Sequence, residues 1–153
     1  MQARTHLMFA FLFSLLIIYL FPNLLIYVPL ILLGSLLPDL DHPNSKLGRK
    51  FWPLSKIFNL IFGHRGFFHS LLFVIFIFIS VSYFSIIFAL AISIGILTHL
   101  LSDALTVSGV ALFYPISNFK ISGFIRTGSW LEYVVYLLLY IASTFVIYKL
   151  LEI

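Results

Sequence analysis

At 153 residues the chain has room for one domain and not comfortably for two, and 62% of it is hydrophobic against 9% charged, where soluble domains carry about a quarter charged residues. An ordinary soluble globule is excluded, and residues 1–153 read as a single integral-membrane domain whose lack of cysteine leaves any metal ion to His, Asp and Glu. The net charge of +4 comes from basic residues in loops beside apolar runs, which membrane topology explains, so nucleic acid is not an expected partner.

Residues 7–21 and 24–37 are uncharged and separated by Pro22-Asn23, a turn signal that predicts a helical hairpin. Each segment is short against the ~20 residues needed to cross ~30 Å of hydrocarbon. The first run is read as retained, since no small-residue cleavage site follows it. Residues 38–66 are the most polar stretch, with Asp39, Asp41, His42, Lys46, Arg49, Lys50, Lys56, His64 and Arg65; within it, residues 50–62 predict a short interfacial helix carrying Trp52 and Phe58 at headgroup level. Residues 67–105 have the length of two spans with a turn near the serines at 80–85. Residues 106–129 form a Gly/Ser/Pro-punctuated loop with a short buried or re-entrant piece near 110–113. Residues 130–148 make the last span. The expected architecture is an all-α polytopic membrane helical bundle of about five segments with a short interfacial helix.

Five segments put the N-terminus and the loops 38–66 and 106–129 on one side of the membrane. Eight of the nine basic residues lie there and Lys149 lies opposite, so by the positive-inside rule that side is cytoplasmic. His6, Asp39, Asp41, His42, His64, His69, His99 and Asp103 all fall on the same side, although none of the histidines was used to draw the topology.

His99 and Asp103 are four apart, one above the other on a helix face and able to share one ion. A helix-end polar pair is the plain alternative; inside an apolar span, where ionisable groups are costly, ligation is the stronger reading. In Gly63-His64-Arg65-Gly66-Phe67-Phe68-His69 the histidines are five apart and would diverge on one continuous helix. The glycines instead put His64 on an entering loop and His69 on the helix, both turned to one centre. Arg65 is either a phosphate fork or a snorkelling anchor. Pro38-Asp39-Leu40-Asp41-His42-Pro43 holds two carboxylates and an imidazole in a stiff turn. His6 is a further candidate ligand, against the plain reading of a solvated terminal histidine. Glu132 suits the helix N-terminus of the last span, and the tyrosines read as lipid-facing and packing aromatics.

Thr5-His6, Gly34 with Pro38-Asp39-Leu40-Asp41-His42-Pro43, His64-Arg65-Gly66 with His69-Ser70, His99 with Asp103, and then Thr106, Gly109 and Pro115 together resemble the YdjM type of inner-membrane, LexA-regulated, metal-dependent hydrolases. The resemblance covers most of the chain and thins after Ser117. It implies a multi-pass inner-membrane metal hydrolase, distantly related to zinc-dependent phospholipase C and single-strand nucleases, which are all-helical enzymes with His and Asp ligands.

The functional expectation is hydrolysis of a phosphoester of a membrane lipid or lipid-linked substrate at the cytoplasmic face. His64, His69, His99, Asp39, Asp41 and Asp103, with His6 and His42 as further ligands, would bind one to three zinc ions, or manganese. An uncoordinated aspartate, Asp39 or Asp41, would serve as base, and Arg65 with Arg49 or Lys46 would neutralise the phosphate. The rival readings are a metal-free lipid phosphatase with a nucleophilic histidine, whose Ser-Arg signature is missing here, and a non-enzymatic metal-binding or cation-transport protein. Transport would need polar groups through the bilayer.

Overall fold

The computed structural model describes residues 1–62 and 65–151 and, among them, contains helices and no strand. The α-helices are α1 (Ala3–Leu16), α2 (Leu24–Gly34), α3 (Lys46–Lys50), α4 (Trp52–Phe62), α5 (Leu71–Ser82), α6 (Ile86–Ala104) and α7 (Trp130–Leu151). Three segments are long and apolar enough to cross a bilayer, Leu24–Asp41, Ile86–Ala104 and Trp130–Leu151; Ala3–Leu16 and Leu71–Ser82 are apolar but shorter. The five expected segments are therefore present as helices, three of them of spanning length.

Element ends differ from the hydropathy reading for local reasons. Helix α1 starts at Ala3 and takes in Arg4, Thr5 and His6, because polarity at those positions does not oppose helix formation. It gives way before Pro22 through a 3₁₀ turn at Ile18–Leu20, and Phe21 is extended (φ −123°, ψ 132°), as residues before proline prefer. Ser70 caps α5 by accepting from the Phe73 amide, so the third apolar helix begins at Leu71 and the preceding Phe67–His69 segment is a 3₁₀ turn. The polar stretch contains a 3₁₀ turn at Pro38–Asp41, then α3 and the expected interfacial helix as α4. Trp52, Leu54, Ile57, Leu60 and Ile61 on α4 are exposed, and Lys56 lies over the Trp52 ring at 5.2 Å, an arrangement suited to the headgroup boundary.

Helix α6 is the axis of the bundle: α1, α2 and α5 pack on it, and α7 packs on α1. Small residues make this possible. A Cβ added at Gly95 would lie 2.1 Å from the Ile31 carbonyl oxygen, and one at Gly34 would lie 2.3 Å from that of Ile92. Helices α2 and α6 thus cross backbone against backbone, as small residues permit in membranes. The long outward faces of α5 and α7, including Ile75, Ile79, Leu138, Ile141 and Phe145, are exposed and apolar, the surface a lipid phase would cover.

After α6 the chain folds back through single bridges Thr106 to Ile125 and Val110 to Ile121. Val110 and Ala111 are buried, and the Leu112 carbonyl accepts from the Leu71 amide. The short buried piece expected near residues 110–113 is present, though Phe113 is exposed.

Because the α2–α6 crossing has no room for a methyl group, Gly95→Ala should destabilise the protein by ~1–3 kcal/mol. Leu138→Ala on the exposed face of α7 should stay within ~0.5 kcal/mol. Thermal unfolding in detergent checks both; equal melting temperatures for the two variants would refute the close-crossing account.

Candidate metal centre

Six side chains from four parts of the chain meet at one end of the bundle. His6 comes from the first turn of α1, Asp39 and Asp41 from the Pro38–Asp41 turn, His69 from the turn before α5, and His99 and Asp103 from the last turns of α6. His6, Asp41, His69, His99 and Asp103 are at most 1% exposed, and Asp39 is half-buried.

What sits behind each imidazole decides which ring nitrogen is available. His99 Nδ1 lies 2.7 Å from the Ser35 carbonyl oxygen, an acceptor, so Nδ1 carries the proton and donates. Ser102 Oγ donates to the His99 carbonyl at 2.8 Å and lies 2.6 Å from His6 Nδ1. His69 Nδ1 faces Asp41 Oδ2 at 3.3 Å. The His99 and His69 rings thus turn Nδ1 outward, to the Ser35 carbonyl and to Asp41, and Nε2 inward, as outer partners do for metal-binding histidines, whereas His6 Nε2 also faces the Met1 carbonyl oxygen at 3.1 Å.

Inward, the donors converge. His69 Nε2 and His99 Nε2 are 3.3 Å apart, and Asp103 Oδ2 lies 3.7 Å from the first and 3.8 Å from the second. A point equidistant from atoms with those separations lies about 2.1 Å from each, the length of zinc–nitrogen and zinc–oxygen bonds. The His6 ring stacks on His99 with centroids 3.7 Å apart, and its Nε2 lies 3.5 Å from Asp103 Oδ1. Among the described residues, two groups have donor atoms all within 4.8 Å of one another: His69, His99 and Asp103, and His6, Asp39 and His99. They share His99. Nitrogen and carboxylate donors at these separations fit a divalent cation of the zinc or manganese kind.

Arg65 is turned inward, its side chain 14% exposed, which excludes the snorkelling anchor. Its backbone is left-handed (φ 65°), uncommon for a residue with a side chain. Three bonds hold it there: its amide donates to Asp41 Oδ2 at 3.0 Å, and its guanidinium donates to the Gly109 carbonyl at 2.9 Å and reaches Asp103 Oδ2 at 3.0 Å. The Met1 amino group also contacts Asp103 Oδ1. Asp41 thus stands behind His69 and Arg65, and His42 lies on the wall of the cleft that Asp39 also lines. His64 lies outside the described residues.

That cleft, 640 Å³ in volume, reaches Asp39 and is bordered by His42, Asn44, Ser45, Arg4 and Arg49. Arg4 is held over the rings of Tyr133 and Tyr136 at 5.9 and 5.6 Å. Glu132, 2% exposed, accepts from the Gln2 amide at 2.6 Å, the Thr5 hydroxyl at 2.9 Å and the Gly128 amide at 2.6 Å. These donors satisfy a buried carboxylate and latch the start of α7 to the turn that carries His6. Ser35 and Ser102 were not foreseen as supports, and Glu132, placed on the same membrane face by the sequence, was expected at most to support the site from outside. The one available signal was Ser102, which shares the α6 face of His99 and Asp103 at helical spacing.

A family model described as YdjM inner membrane protein matches residues 1–151. The chain belongs to the YdjM family. It is 39% identical over 120 residues to "Uncharacterized protein YvsG" of Bacillus subtilis (strain 168), covering 76% of this chain and 75% of that protein. It is 43% identical over 96 residues to "Inner membrane protein YdjM" of Escherichia coli (strain K12) and of Shigella flexneri, covering 58% of this chain. The matched part spans 48% of the length of those two YdjM proteins. No solved structure matches.

Ser102→Ala removes the hydroxyl that holds His6 Nδ1, and Asp41→Asn weakens the hold on His69. Each should lower affinity for zinc about 10–100-fold while leaving the helical circular dichroism unchanged. Zinc titration against a competing chelator measures this, and wild-type affinity in both variants would show that these groups do not support the ligands.

Proposed function

We propose that this YdjM-family protein is a membrane-bound, metal-dependent hydrolase that cleaves a phosphoester of a lipid or lipid-linked substrate. The observation that carries the proposal is the convergence of three buried histidines and two aspartates beside a cleft bordered by two arginines. A structural polar core would not need the open side. The basic loops on the site's side of the bundle support a cytoplasmic position for it by the positive-inside rule.

His69, His99 and Asp103 would hold the ion, with His6 beside them. A zinc or manganese ion held there would supply Lewis acidity and lower the pKa of a bound water to about 7. Asp39, left uncoordinated where the cleft meets the ligand group, is the carboxylate that takes the proton from attacking water. Asp41 holds His69 and the Arg65 backbone, keeping the guanidinium over the site. Arg65 binds a phosphoryl oxygen through its planar fork, exchanging part of its contact with Asp103 for the substrate. Arg4, fixed by two tyrosine rings, and Arg49 add positive potential along the approach.

The test is elemental analysis of detergent-purified protein together with manganese- or zinc-supported hydrolysis of phosphatidic acid and bis(p-nitrophenyl) phosphate. Wild type should carry stoichiometric metal that is lost in His99→Ala and Asp103→Ala. Asp39→Asn should lower kcat by about 10²-fold or more, the scale of lost general-base catalysis. Metal-free wild type after metal-replete preparation would overturn the proposal in favour of the histidine nucleophile. Bound metal without hydrolysis would favour a binding or transport protein.

A further inference from the structure

The Pro38–Asp41 turn and α3 form a partition between two unlike cavities. On one side is the polar cleft of 640 Å³ that holds Asp39, Ser45 and Arg49. On the other is a groove of 450 Å³ whose walls include Leu33, Leu37, Leu40, Leu47, Leu54 and Ile92, with no polar side chain among the described residues that line it. The sequence of the partition alternates accordingly. Leu37 and Leu40 face the groove while Asp39 between them faces the cleft, and on α3 Leu47 lies toward the groove while Ser45 and Arg49 lie toward the cleft.

The groove has a direction and a depth. It starts beside Leu30 and Ile92, in the middle of α2 and α6, and climbs past Leu40 to Phe51 and Leu54 at the interfacial helix. The groove follows the second half of Leu24–Asp41, a segment of spanning length, and half of the ~30 Å hydrocarbon thickness is the depth of one leaflet. A molecule touching both sides of the partition needs an anionic polar end for the arginine-bordered cleft and an aliphatic chain for the groove.

We propose that the groove seats one acyl chain of a phosphate-headed glycerolipid whose head lies over the partition in the polar cleft. The proposal rests on the site reading above for the scissile bond, but the groove itself is tested by binding alone. Seating the chain beside Leu37 and Leu40 brings the ester phosphate to Asp39, so the enzyme acts on single lipid molecules drawn sideways from its own leaflet. A soluble phosphoester reaches the same metal ligands without this anchor.

Leu33 and Leu54 are exposed enough, at 59% and 49%, for tryptophan to fill the groove without repacking the bundle. Native mass spectrometry of metal-loaded, detergent-purified protein with dioleoyl phosphatidic acid should find one lipid retained by wild type. Leu33→Trp and Leu54→Trp should retain roughly tenfold less, with metal content unchanged. Leu138→Trp, on the exposed face of α7, should retain lipid as wild type does. Arg49→Glu should weaken phosphatidic acid but not dioleoylglycerol, and glycerol 3-phosphate should not be retained by any of the variants. Equal retention by Leu33→Trp, Leu54→Trp and Leu138→Trp would reduce the groove to ordinary lipid contact and overturn the proposal, as would retention of glycerol 3-phosphate comparable to that of the lipid. The same retention pattern in protein free of metal and inactive would uphold the groove while removing the hydrolase.

Discussion

The contact between Gly34 and Gly95 is the constraint from which the site follows. Where two helix backbones touch, the carbonyl groups of one come within hydrogen-bond reach of the side chains of the other. Ser35 follows Gly34 directly, and His99 is one turn beyond Gly95; the Ser35 carbonyl meets the His99 Nδ1 for that reason. A methyl group at either glycine would separate the helices by more than this bond tolerates. The tautomer of the histidine shared by both donor groups is therefore set by helix packing, well before any ligand enters.

The rest of the site is assembled around α6 by segments that lack regular structure of spanning length. The Pro38–Asp41 turn is too short to be rigid alone, and it is tied down by Ser45 bonding back to the Asp39 carbonyl and Asn59 bonding to that of Asp41. The Arg65 backbone occupies a left-handed conformation that its amide, guanidinium and neighbours hold in place. Unusual backbone near a cluster of buried charges is the pattern of a site where geometry has been set against local preference.

Much of this was legible in the sequence because the relevant signals are short-range. Four-residue spacing puts His99 and Asp103 on one face of α6, paired prolines fix Asp39 and Asp41 in a turn, and the alternation of apolar runs with basic loops brings all the ligating residue types to one end. Other features were not legible, since they depend on partners far apart in the chain. The acceptor behind His99 is a backbone carbonyl 64 residues away, and the partner of His6 Nδ1 is a hydroxyl 96 residues away. Neither has a signature of residue type. Spacing likewise left Arg65 with two readings, because whether a long side chain turns to the interface or to the interior depends on what it finds there. It finds the Gly109 carbonyl and Asp103. The helix starts were misplaced by hydropathy for a related reason: a polar residue such as Thr5 or His6 joins a helix as readily as an apolar one when its side chain has a buried partner.

The Glu132 latch bears on how the protein is made. Thr5 and Glu132 are 127 positions apart, so when a chain emerges N-terminus first, the turn that carries His6 leaves the ribosome long before its anchor exists. Helix α7 makes its main packing contacts with α1, and the latch closes once that helix has entered the membrane and come to rest on it. Completion of the donor cluster is thereby tied to the synthesis of α7, and a nascent chain that stops short of it carries the ligands without the clasp that orders them.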